Sequence, residues 1–300
     1  MSLIALGTVA LDNIKTASGM KRKLMGGSAA HFAMSARLFT EVHLVSVIGE
    51  DFPSGHIQLL RRKGINVDSV ARREGKTFQW HGEYKKGDYN NAITRSTELG
   101  VMSGYAPQVT PEQRRIPNIF LANLGPDVQI KFLKLMRNPK FVGLDSMNLW
   151  INTMRPLVLQ IMKKADLFVL NDGEAGMLTG ETNLIRAAKR LRRMGPKLVV
   201  VKKGEHGVLV DAGRFLFGFP AYPIDHVVDP TGAGDTFAGG LMGYLSTQKR
   251  IDETALRRAV MYATTLASFN VEGFGAARTA PLTLARVNAR KRRLTKFIAP

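Results

Sequence analysis

The sequence predicts an α/β protein, a doubly wound and mainly parallel central sheet with helices on both faces, carrying a small β lid. Three observations lead there. Short, continuously apolar runs recur along the chain, as strands buried on both faces require. Helical patterns lie between those runs, and two polar stretches break the alternation.

In chain order, residues 4–9 form the first apolar run, with Gly7 inside it. Residues 12–25 are polar and short-patterned. Small and apolar residues at 29–38 read as a helix, and the β-branched run at 42–48 as a strand. A second helix continues through 57–60 from Pro53-Ser54-Gly55. Residues 77–99 mix the alternating aromatics Phe78, Trp80 and Tyr84 with Gly and Asn. Together with 12–25 they read as antiparallel strands standing apart from the main sheet, two insertions that make the lid. Strand-like runs return at 118–123, 141–144, 167–170 and 198–201. Leu184, Ile185, Ala188, Leu191 and Met194 fall at helical spacing, and Gly195-Pro196 stops that helix. Residues 222–228 read as a last strand, before a helix face of Phe237, Leu241, Met242 and Leu245. The whole of 1–300 is expected to form one domain.

Composition excludes several chemistries. The chain has no cysteine, so it has no disulfide, thiolate nucleophile or cysteine-ligated metal. No apolar run approaches the roughly 18–20 residues that span a bilayer. The start shows no basic, cleavable leader, and the expectation is a soluble, cytoplasmic protein. The net charge of +19 raises the question of polyanion binding. The basic residues are, however, dispersed: Arg61-Arg62-Lys63, Lys189-Arg190, Arg192-Arg193 and Arg257-Arg258 fall on different helical stretches. Only Arg290 to Arg293 with Lys296 is dense, and no interleaved aromatics accompany it, so dedicated nucleic-acid binding is not expected.

The sharpest chemical signal is Asp229-Pro230-Thr231-Gly232-Ala233-Gly234-Asp235-Thr236-Phe237-Ala238-Gly239-Gly240. Here Gly232, Ala233 and Gly234 form a tight turn that opens a helix. The leading amides of a helix lack internal partners and carry the positive end of its dipole. A glycine turn lets them close on a phosphate as an anion hole. Asp235 beside that turn is placed to accept a proton from an attacking hydroxyl. The string has neither the Walker lysine nor Gly-x-Gly-x-x-Gly, so P-loop and dinucleotide-binding readings fail. Elsewhere, Asn123 and Asp145 end strand-like runs and are candidates to face a substrate.

That string resembles the C-terminal signature of the ribokinase-like, or PfkB, family of carbohydrate and nucleoside kinases. Other segments are similar in the same order. Gly26-Gly27-Ser28-Ala29-Ala30-His31 looks like the family's di-glycine motif at the sugar, with His31 where an asparagine is usual. The segment ending in Asp12 looks like the first strand whose aspartate grips ligand hydroxyls. Asn171-Asp172-Gly173-Glu174 is similar to the Asn-x-x-Glu element that places magnesium and phosphates through water. Lys202-Lys203-Gly204-Glu205-His206-Gly207 occupies the nucleotide turn, with Lys202 replacing a common threonine and placed to meet a phosphate.

The resemblance implies transfer of the ATP γ-phosphate to an alcohol of a small sugar-containing acceptor, a nucleoside or a carbohydrate. It makes Asp235 the base and Gly232, Ala233 and Gly234 the anion hole. Asp12, Gly26, Gly27, His31, Asn123 and Asp145 would serve the acceptor. Asn171, Lys202, Gly204, Gly207 and Asn270 would serve ATP. Glu174 would serve Mg2+, and Asp229 with the loop at 271–275 a monovalent cation such as K+. Relatives often dimerise through their lids, and Phe78 and Trp80 permit a homodimer there. The competing reading is a non-catalytic nucleotide- or nucleoside-sensing protein on a kinase fold.

Overall fold

The computed structural model describes residues 1–299. The first part of the chain runs β1 (Ser2–Leu6), β2 (Ala10–Thr16), β3 (Gly19–Gly26), α1 (Ser28–Ala36), β4 (Glu41–Gly49), α2 (Ser54–Arg62), β5 (Ile65–Arg73), β6 (Gln79–Glu83) and β7 (Ile93–Glu98). The middle runs β8 (Asn118–Leu121), α3 (Pro126–Leu135), β9 (Phe141–Leu144), α4 (Asn148–Thr153), α5 (Arg155–Met162), β10 (Leu167–Asn171), α6 (Asp172–Thr179), α7 (Leu184–Arg193) and β11 (Leu198–Lys202). Then come β12 (Val208–Asp211), β13 (Leu216–Phe219), α8 (Ala233–Leu245), α9 (Glu253–Asn270) and α10 (Leu284–Ile298).

Nine strands form the main sheet in the order β13-β12-β11-β10-β9-β8-β1-β4-β5. Pairing is parallel from β5 through to β11, and only β12 and β13 join antiparallel at one edge. Alternation along β1 shows why the strands are apolar throughout. Leu3 and Ala5 enter the core shared with α1, α2, α8 and α9. Ile4 and Leu6 enter the opposite core, shared with α3, α5, α6 and α7. A strand with water on neither side needs hydrophobic residues at both parities.

A second sheet has the order β3-β2-β6-β7. Its outer pairs are antiparallel, as expected, but β2 and β6 run parallel. The physical reason lies in how the chain arrives. Each lid segment leaves the same edge of the main sheet, after the parallel strands β1 and β5, and so enters the lid in the same direction. Phe78 and Trp80, candidates for an apolar dimer contact, are both half-buried. Phe78 packs against the core, and Trp80 shares the face of Asp12. The other face carries Asn13, Lys15, His81 and Glu83, with Glu83 paired to Lys15 and Arg95.

The strand expected at 222–228 does not form. Pro220 and Pro223 remove backbone donors there. The segment crosses as a loop, docked by the Val228 and Asp229 amides donating to Val271 O at 2.8 and 3.2 Å. The basic C-terminal cluster is partly internal. Arg290 stacks on Phe269 (3.5 Å to the ring centre) and pairs with Glu272, while Lys291 donates to the Tyr262 hydroxyl. Arg292, Arg293 and Lys296 are exposed. Among the described residues, no helix is long and apolar enough to cross a membrane.

Candidate active site

The carboxyl ends of β8, β9, β10 and β11 bring Asn123, Asp145, Asn171 and Lys202 to one edge of the sheet. Helix α8 starts against that edge. Gly232 sits just before it with φ +74°, a left-handed conformation that glycine adopts without strain. A Cβ at Gly232 would also strike the His31 ring at 2.4 Å. The Thr231 amide donates to Asp229 Oδ1 at 2.9 Å, and the Ala233 amide to Pro230 O at 3.1 Å. Ala233 was expected to lend its amide to the anion hole, but the turn already holds it. The amides of Gly232 and Gly234 find no partner among the described residues.

Asp235 is the third residue of α8. It keeps part of its surface open, yet burial pushes its carboxyl up to about 7, with Asp145 adding to the shift and Lys202 opposing it. Lys202 Nζ stands 2.9 Å from where a Cβ on Gly234 would be, and 3.4 Å from Asp145 Oδ2. Burial works against the Lys202 charge, but Asp145, Glu174 and Asp235 outweigh it and hold the ammonium above its ordinary value. Asp145, expected at the acceptor, is therefore turned toward Lys202; its other oxygen accepts the Ser146 amide.

The side expected to hold the acceptor gathers Asp12, Gly26 and Gly27. A Cβ at Gly26 would lie 1.8 Å from Asp12 Oδ2, so the carboxylate rests directly on that glycine. Burial raises the Asp12 carboxyl to about 7, against the pull of the Gly27 amide. His31 is close by but beneath Gly232. It is buried with neither ring nitrogen hydrogen-bonded, and burial lowers it to about 4, so the ring is a neutral floor under the turn. Asn123 lies past the end of β8, its Oδ1 accepting from Trp150 Nε1 at 2.9 Å.

Other expected residues have structural partners. Asn171 caps α6 and accepts the Glu174 amide, while Glu174 Oε2 accepts the Asn171 amide, both at 2.8 Å. This reciprocal cap leaves Glu174 buried beside Asp145 and Lys202, its carboxyl raised to about 7 chiefly by burial. Asp229 is fully buried, and its second oxygen accepts the Gly275 amide at 3.2 Å, clasping the loop at 271–275 to the glycine turn. Asn270, expected near adenine, is also fully buried. Its amide donates to Thr231 O (2.7 Å) and accepts from Thr236 Oγ1 (3.0 Å), bracing the turn from behind. Gly204 lies under Asn90 of the long lid segment, a Cβ there being 1.9 Å from Asn90 Oδ1. Gly207 closes the same turn, donating to Gly204 O at 3.1 Å.

Two further side chains reach the site from the lid. The Tyr84 hydroxyl meets Thr231 Oγ1 at 3.5 Å, and Thr16 Oγ1 donates to Val228 O at 2.8 Å. The aromatic alternation through Trp80 to Tyr84 was the available signal for that face. Nothing local said that it pointed at the turn.

The family model for the pfkB family carbohydrate kinases matches residues 11–282. The chain belongs to the pfkB family. This PfkB kinase is 32% identical over 260 residues to a cytidine kinase from Thermococcus kodakarensis, covering 84% of this chain and 91% of that protein. It is 24% identical over 290 residues to an aminoimidazole riboside kinase from Salmonella typhimurium, covering 92% and 91%. Solved structures share the PfkB fold. A nucleoside kinase from Methanocaldococcus jannaschii superposes with TM-score 0.78 at 22% identity, over 97% of this chain and 98% of that one. A putative ribokinase II from E. coli, in complex with ATP and Mg2+, does so with TM-score 0.80 at 18% identity, over 97% and 99%. The PfkB kinase described here is thus of the carbohydrate and nucleoside kinase type.

Proposed function

We propose that this kinase moves the γ-phosphoryl group of Mg-ATP to an alcohol of a sugar-containing acceptor, with Asp235 as the base. The observation that carries this reading is the pairing of the Asp235 carboxylate with the unpartnered Gly232 and Gly234 amides in one helix start. Attack by the acceptor oxygen on the γ-phosphorus releases ADP, and the hydroxyl proton passes to Asp235. The two amides, the α8 dipole and the Lys202 ammonium face the charge on the transferring group. Asp12 holds the acceptor by its hydroxyls.

The acids of the cleft suit a nucleotide that arrives with its metal. Asp145, Glu174 and Asp235 gather around a single ammonium, with Asp12 acting on Asp235 from the other side, so a bare triphosphate would be repelled. Among the described residues no group of three or more His, Asp or Glu side chains is set to hold a metal ion by itself. That arrangement fits Mg2+ carried mainly by phosphates and water, with Glu174 behind it. The metal neutralises phosphate charge. A monovalent cation such as K+ suits the buried Asp229 clasp, whose carboxyl burial pushes up; rates in K+ against tetramethylammonium test it.

The deciding experiment is ADP release with adenosine, inosine, cytidine, ribose, fructose and hexose phosphates. Acceptor-dependent release that is lost in Asp235→Asn is expected. Tight nucleotide binding with no release from any acceptor would favour the sensing protein instead.

A further inference from the structure

One lid aromatic has no part in the chemistry above. Strands β2 and β6 pair in register, with Asp12 beside Trp80 and Ile14 beside Gly82. Side chains alternate across a strand, so Asp12, Ile14, Trp80 and Gly82 share one face. Tyr84 has the same parity, and its contact with Thr231 identifies that face as the one turned to the cleft.

The Trp80 ring is held in place before any ligand arrives. Its six-membered ring lies over Gly82, where a Cβ would stand 2.0 Å from Cη2 and 2.3 Å from Cζ3. Its Nε1 donates to Thr94 Oγ1 at 3.1 Å. Backbone therefore supports the ring below and a hydrogen bond fixes its edge, while the residue stays partly exposed. A side chain already fixed loses little freedom on binding. Adjacent strands lie about 4.8 Å apart, so a sugar gripped by Asp12 has Trp80 as its immediate neighbour.

We propose that Trp80 is a stacking platform for a planar heterocyclic base, which makes the acceptor a nucleoside rather than a free sugar. The inference rests on Asp12 holding the acceptor sugar. Of the lid cations, Lys15 and Arg95 are paired with Glu83 on the opposite face, while Lys21 stands opposite Ile14 on the cleft face. Every base has a π-face, so the platform selects for a base without choosing which one. It is a specificity residue and takes no part in proton or phosphoryl transfer.

The test uses the full chain and reads binding separately from turnover. Cytidine, inosine and ribose are titrated calorimetrically into the wild type, Trp80→Ala, Trp80→Phe and Gly82→Ala. Trp80→Ala is expected to weaken nucleoside binding roughly 5- to 150-fold, the range of one base–aromatic stack, and ribose binding less than about twofold. Trp80→Phe recovers most of the loss, and Gly82→Ala, which displaces the ring, reproduces it. In turnover the same change falls on the nucleoside KM and spares kcat. Equal losses for nucleosides and ribose, or no loss, overturn the platform. ADP release from ribose or hexose phosphates with no nucleoside binding also overturns it while sparing the kinase reading. Trp80-dependent nucleoside binding with no ADP release from any acceptor does the reverse.

Discussion

The phosphate turn and the lid meet across the same cleft but are held in different ways. Around Gly232 nearly every polar group is tied down from behind. Asp229 clasps Thr231 and Gly275, Asn270 braces Thr231 and Thr236, and Pro230 occupies the Ala233 amide. The Gly232 and Gly234 amides are left free, as are the nitrogens of the His31 ring beneath them. The lid reaches the cleft walls through scattered side-chain contacts, among them Thr16 to Val228 O, Tyr84 to Thr231 and Asn90 to Glu205. Charge stabilisation needs donors fixed in advance, whereas recognition of an entering molecule needs a surface that can come down on it. Under the proposed function, the difference between the two regions is one of how many bonds hold each against the cleft.

Substitutions in the turn should act on rate, and those in the lid on affinity. The largest effect is expected from Asp235→Asn, a loss of about 10²–10⁴ in kcat with nucleotide binding retained, read by steady-state kinetics and calorimetry. The same carboxyl gives a pH signature. As its pKa is raised to about 7, kcat/KM should climb through neutrality as the base ionises and be lost below it. The sign for stability is opposite. A carboxyl with a raised folded-state pKa contributes fully below its unfolded pKa, and that contribution is lost as pH rises through about 7. Asp235→Asn should therefore melt higher than the wild type at pH 8, by roughly 2–4 °C for each kcal/mol relieved.

Lys202→Met comes next. It leaves the buried Asp145 without its partly exposed partner and should cost about 1–3 kcal/mol of stability. The ATP KM should rise roughly tenfold. Gly232→Ala forces a left-handed residue, costing about 1–2 kcal/mol, and drives a methyl group into His31. A double variant, Gly232→Ala with His31→Ala, should recover the part due to the ring; denaturation of the single and double variants separates the two. The smallest effect is expected from Tyr84→Phe, about 0.5–1.5 kcal/mol, on acceptor KM rather than kcat. A fall in kcat there as large as that of Asp235→Asn would break the division between the two regions.

What could be read from the sequence was what is local. The Gly-Ala-Gly-Asp turn lies in one unbroken string, and its helix start needs only those residues. The parallel strands announced themselves because a strand buried on both faces has no polar parity to hide it. What escaped was long-range. Lys202 and Asp145 are 57 residues apart, and the Asn270 amide is 39 residues from the Thr231 carbonyl it meets. The protein partners of Asn270 and Asp145 therefore could not be read beside their expected ligand contacts. The supposed strand at 222–228 failed because its β-branched content was weighed without its prolines. The parallel pairing of β2 with β6 depends on where the main sheet delivers each segment, which no window of sequence contains.

Thr16 and Tyr84 hang the two halves of the lid from the stretch of chain, 228–231, that leads into the phosphate turn. The peptides that lead into the Gly232 and Gly234 amides are thus the same ones the lid rests on. A change at either lid contact is therefore also a change at the threshold of the glycine turn.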